Sequence, residues 1–145
     1  YGENLSWGWP TMSVAGAVYE WTSEGADYNV ANRSCNAGKV CGHYTQQIWA
    51  DSERIGCGHA TCSNIFGQAV VQTYVCQYSE AGNWVGEDPY LVGPTCSWCP
   101  SGYACNGKLC AKIGSFTPDP AQPTPVPTTR RPRTTTDTPA PTTVA

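Results

Sequence analysis

Cys41-Gly42-His43-Tyr44-Thr45-Gln46-Gln47-Ile48-Trp49 places one titratable imidazole in a short, helix-compatible run crowded with aromatic side chains. The run predicts a helix over residues 43–49, and the spacing of four puts His43 and Gln47 on one side of it. Carboxylates that could serve the imidazole lie upstream, at Glu3 and Glu24. Across residues 11–28, Val14, Val18, Trp21, Gly25 and Tyr28 follow in steps of four, three, four and three, which describes one helix face. Pro10 and Thr11 make a start for that helix, and Gly25 weakens its last turn. Downstream, residues 54–62 and 69–78 read as strands: Val71, Thr73 and Val75 alternate with Gln72, Tyr74 and Cys76. Between them Ser63-Asn64-Ile65-Phe66-Gly67 suits a hairpin loop. Helices followed by an antiparallel hairpin predict an α+β layered fold.

The chain has 145 residues, enough for one ordinary domain plus an appendage. Nine cysteines in that length point to an oxidising compartment. The odd count leaves one thiol without a partner. The expected reason is a partner in a segment lost upstream of Tyr1, and a free reactive thiol is the alternative. On that reading the chain is an N-terminally truncated fragment, so its lack of a charged-then-apolar leader says nothing against secretion. No apolar run approaches the ~20 residues of a membrane helix. Residues 1–115 carry five basic and nine acidic side chains, which gives no support for nucleic-acid binding.

Three segments differ in texture. Residues 1–92 mix helical and strand patterns. Residues 93–113 are a small cysteine-rich module with Cys96, Cys99, Cys105 and Cys110, too small for an apolar core and in need of covalent staples. Zinc is the competing use of four spaced cysteines. Two disulfides suit a secreted chain better, and three pairings are open at this point. Residues 114–145 form a tail rich in Thr and Pro: 18 of the 30 residues from Phe116 onward are one or the other. Such a segment cannot offset its chain entropy by burial and is expected to be disordered, with O-glycosylation as a stalk a further expectation. Arg130-Arg131-Pro132-Arg133 reads as an exposed basic patch, with a processing site as the alternative.

At this point four motifs, in order, resemble those of the CAP superfamily, which groups cysteine-rich secretory proteins, antigen 5 and plant pathogenesis-related proteins. Gly42-His43-Tyr44-Thr45-Gln46-Gln47-Ile48-Trp49 is similar to its first signature. Tyr74-Val75-Cys76-Gln77-Tyr78, followed by Gly82-Asn83-Trp84-Val85-Gly86 and Pro89-Tyr90, is similar to its second. Tyr1-Gly2-Glu3-Asn4-Leu5 resembles the Gly-Glu-Asn strand, and Trp21, Glu24 and Tyr28 the helix with an inward glutamate. Residues 96–110 resemble the hinge of secreted members, and the long Ser/Thr/Pro tail is similar to that of peptidase-inhibitor-16-like members.

The resemblance implies an α-β-α sandwich, present here in part, with a cleft lined by two histidines and two glutamates. Glu3, Glu24 and His43 fill three of those positions, and the fourth would precede Tyr1. It also implies disulfides Cys35–Cys41, Cys57–Cys76, Cys96–Cys105 and Cys99–Cys110, with Cys62 unpaired in this fragment. Imidazole and carboxylate together suit a divalent metal, zinc above all, or acid–base chemistry. The structural alternative makes Glu24 and Tyr28 a hydrogen-bonded pair one helical turn apart and His43 a satisfied polar core residue.

The expected function is a secreted, extracellular, non-catalytic CAP module that binds an extracellular protein partner or a lipid or sterol, without nucleic acid or a transmembrane segment. A metal-assisted secreted protease is the enzymatic alternative, but hydroxyls near the motifs, Ser6 and Thr45, carry no sign of activation. An extracellular-matrix or biomineral component and an ion-channel-modulating venom protein are further alternatives. Venom-type relatives carry another six-cysteine domain where this chain turns to Thr and Pro. His59 reads as an exposed strand residue. Two glycosylation sequons occur, at Asn32 and Asn4, and Asn32 is the better acceptor because Asn4 belongs to a buried motif.

Overall fold

The computed structural model of the chain describes residues 1–115, so the Thr/Pro tail and the Arg130–Arg133 patch lie outside the described residues. These residues divide into two compact units, Tyr1–Tyr90 and residues 91–115.

The first unit is built on β5 (Gln68–Ser79), whose Val, Thr and Tyr residues suit a strand paired on both sides. Its neighbours, both antiparallel, are β1 (Gly2–Gly8) and β4 (Arg54–Ile65). The expected five-residue loop between β4 and β5 is a tighter turn. Ile65 pairs with Gln68, and Phe66 and Gly67 take φ values of 53° and 71°. Two left-handed residues match the right-handed twist of the flanking strands.

Alternation along β1 decides which side chains meet the helices. Asn4 and Ser6 share a sheet face with their β5 partners Cys76 and Tyr74, whereas Glu3, Leu5 and Trp7 point to the other face with Gln77, Val75 and Thr73. Helix α1 (Val14–Ser23) packs on the first face, where Ala17 and Trp21 join Cys76 and Tyr78 in the core, flanked by Met12 and Tyr74. Helix α2 (Gly42–Gln47) covers the same face, since Asn4 Nδ2 donates to the His43 carbonyl at 3.0 Å. The fold is α+β as expected. Among the described residues, both helices lie on one side of the sheet.

The first helix is shorter than its pattern predicts. Ser13 caps it, its hydroxyl accepting from Gly16 N–H at 3.0 Å, and a 3-10 turn follows over Glu24–Asp27. Tyr28 starts a short strand, β2 (Tyr28–Asn29), paired with β3 (Ser34–Cys35). Val14 and Val18 are not core residues: they are 61% and 41% exposed. The small Ala17 lets the helix settle on the sheet along the Ala17–Trp21 line, and the two valines stand beside that contact.

Disulfides Cys35–Cys41 and Cys57–Cys76 staple this unit, the second joining directly opposed residues of β4 and β5 with Cα atoms 4.1 Å apart. Cys62, half-buried on β4, is free. In the second unit, β6 (Tyr103–Asn106) and β7 (Leu109–Lys112) form a hairpin held by Cys96–Cys105 and Cys99–Cys110. All four pairs are those the resemblance implied. Buried Cys99 and Cys105 take the place of an apolar core there. No helix of the described residues is long and apolar enough to cross a membrane.

Candidate functional site

Two of the three expected cleft residues meet. Glu24 leaves the end of α1 on the 3-10 turn, directly beside the first turn of α2. Its Oε2 accepts the backbone N–H of His43 at 3.0 Å and of Tyr44 at 3.1 Å. The first N–H groups of a helix have no partner within it, and a carboxylate also meets the positive end of the helix dipole. Glu24 thus caps α2 from a distance of nineteen residues. Its Oε1 lies 2.7 Å from His43 Nδ1. A carboxylate only accepts, so in the neutral ring the proton sits on Nδ1 and Nε2 is left bare. Trp21 stacks on the imidazole, ring centroids 6.2 Å apart.

The remaining motif residues hold α2 in place. Gln46 is 1% exposed; its Oε1 accepts Gly82 N–H at 2.9 Å and its Nε2 donates to Ser52 Oγ at 3.0 Å. Asn83, with φ 55°, receives the Thr45 hydroxyl on Oδ1 at 2.7 Å and donates Nδ2 to the Gly42 carbonyl at 2.8 Å. The glycines permit these contacts. A Cβ at Gly2 would sit 2.0 Å from Gln46 Oε1, and one at Gly82 would sit 2.6 Å from the Trp49 ring. The Gly-Glu-Asn, His-Tyr-Thr-Gln and Gly-Asn-Trp stretches are therefore three parts of one clamp on α2. The role of Asn83 was not read from the sequence, although its motif was the available signal.

Glu3 does not join the pair. It faces the other side of the sheet, where its carboxylate accepts from Gln77 Nε2 at 3.3 Å. His59 is exposed, stacked on Tyr74 and bonded to Gln72 Oε1 at 2.7 Å. The Ser6 hydroxyl donates to the Glu20 carboxylate and that of Thr45 to Asn83, so neither is paired with His43. Tyr28 lies against Tyr44, ring centroids 5.7 Å apart, and its buried hydroxyl has no partner among the described residues, so the Glu24–Tyr28 hydrogen bond of the structural alternative is not formed. Burial, with the nearby Tyr90 and Asp88 charges, raises the pKa of the Tyr28 phenol. Asn4 is fully buried with Nδ2 shared between His43 O and Tyr78 Oη, which puts that sequon out of reach in the folded chain. Asn32 is exposed.

Zinc or another divalent ion would find one ligand atom here, His43 Nε2. Both Glu24 oxygens already accept hydrogen bonds, and Glu3 faces away, so the three residues do not converge as a ligand set. Among the described residues, the one convergent set of ligand types is Cys96, Cys99 and Cys110, with sulfurs within 4.8 Å of one another. Those sulfurs are oxidised in two disulfides, and the metal-binding form of cysteine is the thiolate.

An apolar groove of about 270 Å³ is walled by Val14, Val18 and Trp21 of α1 and by Ile55, Cys57 and Tyr74 of the sheet. Gln47 stands at its α2 side. Trp21 belongs to both places, forming groove wall and ring stack at once. The sequence pattern put the two valines on one helix face; their spacing was the right signal for that face but not for what covers it.

Comparison with known proteins gives a match of residues 6–78 to the family model CAP: Cysteine-rich secretory protein family. Human peptidase inhibitor 16 is 44% identical over 123 residues, covering 83% of this chain and 26% of that protein. Pathogenesis-related leaf protein 4 of Solanum lycopersicum is 48% identical over 89 residues, 61% of this chain and 53% of the relative. Human cysteine-rich secretory protein LCCL domain-containing 2 is 37% identical over 134 residues, 82% and 27% respectively. The chain thus spans about a quarter to a half of the length of these relatives.

Proposed function

Because the chain belongs to the CAP family of cysteine-rich secretory proteins, we propose that it is part of a secreted, non-catalytic binding protein whose ligand is a lipid, sterol or fatty acid, or an extracellular protein. The observation that carries this reading is the apolar groove between α1 and the sheet, with Val14 and Val18 held in water on its rim. An exposed aliphatic wall gains about 25 cal/mol for each Å² that a ligand removes from water. Gln47, at the α2 side of the groove, offers a polar side chain next to that wall. A small number of placed polar groups in an apolar site is how ligand orientation is set.

Hydrolysis draws no support from the same geometry. It requires a nucleophile or activated water, a base and an oxyanion site in mutual reach. The two candidate hydroxyls have other partners, and Glu24 serves as a helix cap. Nine cysteines, four disulfides among the described residues and a Thr/Pro tail support secretion. The test is equilibrium binding of fluorescent sterol and fatty acid to the full-length secreted protein, with pull-down of extracellular proteins in parallel. Saturable binding that weakens in Val18→Asp is expected. Absence of saturable binding to all three classes overturns the proposal.

A further inference from the structure

We infer that Asn32 is an N-glycan acceptor on the folded surface of this protein, an assignment that rests on the secretory reading above. In Asn32-Arg33-Ser34, Asn32 and Arg33 lie in the turn between β2 and β3 and Ser34 opens β3, and the geometry of the turn presents the acceptor atom. Asn29 Oδ1 accepts from Ala31 N–H at 2.9 Å and from Asn32 N–H at 3.3 Å, which ties the approach to the turn to its own side chain. Arg33 then takes φ 54°, reversing the chain, and its guanidinium reaches Asp88 at 3.0 Å. Immediately after the turn, Cys35 is bonded to Cys41. The sequon is therefore held by a strand pair, an ion pair and a disulfide.

Within it, the Ser34 hydroxyl donates to Asn32 Oδ1 at 2.8 Å. That contact fixes which end of the carboxamide faces the protein. The carbonyl oxygen is engaged, and Nδ2 is left in solvent with no hydrogen bond to any described residue. Asn4 has the same sequence pattern and the opposite geometry: its Nδ2 is buried and already donates to two acceptors. One sequon is thus built into the clamp on α2, and the other is open.

The reaction would use a lipid-diphosphate-linked oligosaccharide in the secretory pathway. The Asn32 Nδ2–C1 glycosidic bond forms as the C1–O bond to the lipid diphosphate breaks. The lipid diphosphate leaves, and one amide proton passes to a base of the transferase. The exposed turn has room for such a group, and its tethering keeps the glycan on one spot of the surface.

The experiment expresses the full-length protein in a eukaryotic secretory host and maps its glycopeptides before and after peptide N-glycosidase. The expected result is a glycan on the peptide containing Asn32, removed by the enzyme with conversion of Asn32 to Asp, and none on the peptide containing Asn4. Asn32→Gln and Ser34→Ala should each abolish the glycan, whereas Ser34→Thr should retain it. Secreted protein with an unmodified Asn32 overturns the assignment while leaving the secretory reading intact. Protein retained inside the cell with a glycan on Asn32 does the reverse.

Discussion

Glu24 holds His43 from two directions: Oε1 meets the ring Nδ1 at 2.7 Å, and Oε2 accepts the same residue's backbone N–H at 3.0 Å. One carboxylate therefore fixes the ring orientation and the start of the helix that carries it. Replacing it with Gln keeps the size but removes the charge and puts an amide donor where one acceptor stood. Glu24→Gln is expected to lower stability by about 1–2 kcal/mol, the range of a lost N-cap. Nitrogen-detected NMR of the neutral imidazole checks the second consequence: a single Nδ1–H tautomer in the wild type, and a mixture in the variant. An unchanged tautomer would mean that Glu24 does not orient the ring.

Gly82→Ala tests the clamp on α2. The new Cβ would meet the Trp49 ring at 2.6 Å and Gln46 Nε2 at 2.9 Å. Overpacking of this kind costs about 1–3 kcal/mol, and displacement of Gln46 would add to it. Urea denaturation followed by tryptophan fluorescence measures the loss. Gly56→Ala is the matched control, since nothing lies within 4 Å of its Cβ position.

Alkaline stability should depend on Tyr78. Burial raises its pKa, and the hydrogen bond from Asn4 offsets part of the rise. The folded state then holds the phenolic proton more tightly than the unfolded chain. This contribution is fully present below the unfolded value of about 10 and is lost as pH rises through the higher folded value. Absorbance titration should show a late-ionising tyrosine component, to which the buried Tyr28 and the half-buried Tyr90 also contribute, and Tyr78→Phe should shrink it.

The second unit should depend on its sulfurs. Its buried side chains include Cys99 and Cys105, one from each disulfide. The paired substitution Cys99→Ser with Cys110→Ser removes one staple, with an expected cost of about 2–5 kcal/mol. Hydrogen exchange localises the effect: amides of β6 and β7 should lose protection while those of β5 keep theirs.

Much of this arrangement was readable from local pattern. The two-residue alternation in Val71–Cys76 and the short aromatic run at His43 identified β5 and α2, because those periods are properties of the segments themselves. The tight turn at Phe66-Gly67 was not readable, since it depends on pairing Ile65 with Gln68 rather than on a loop composition. Glu3 illustrates the same limit at the site. Motif position placed it with Glu24 and His43, but its side of the sheet follows from the β1–β5 register, which pairs it with Gln77. Val14 and Val18 were legible as one face of a helix, while which face meets the sheet was decided by Ala17. Glu24 was legible as a partner of His43, and its second role as cap of α2 emerges only when the two helices are seen end to side.

The groove between α1 and the sheet gives the most direct test. Fluorescent sterol and fatty acid titrated into the full-length secreted protein should bind saturably. Val18→Asp should weaken binding at least tenfold while leaving the melting temperature nearly unchanged, because that side chain already stands in water. If no lipid binds saturably and no extracellular protein is captured, or if the protein hydrolyses peptides in a His43-dependent way, the binding account is wrong.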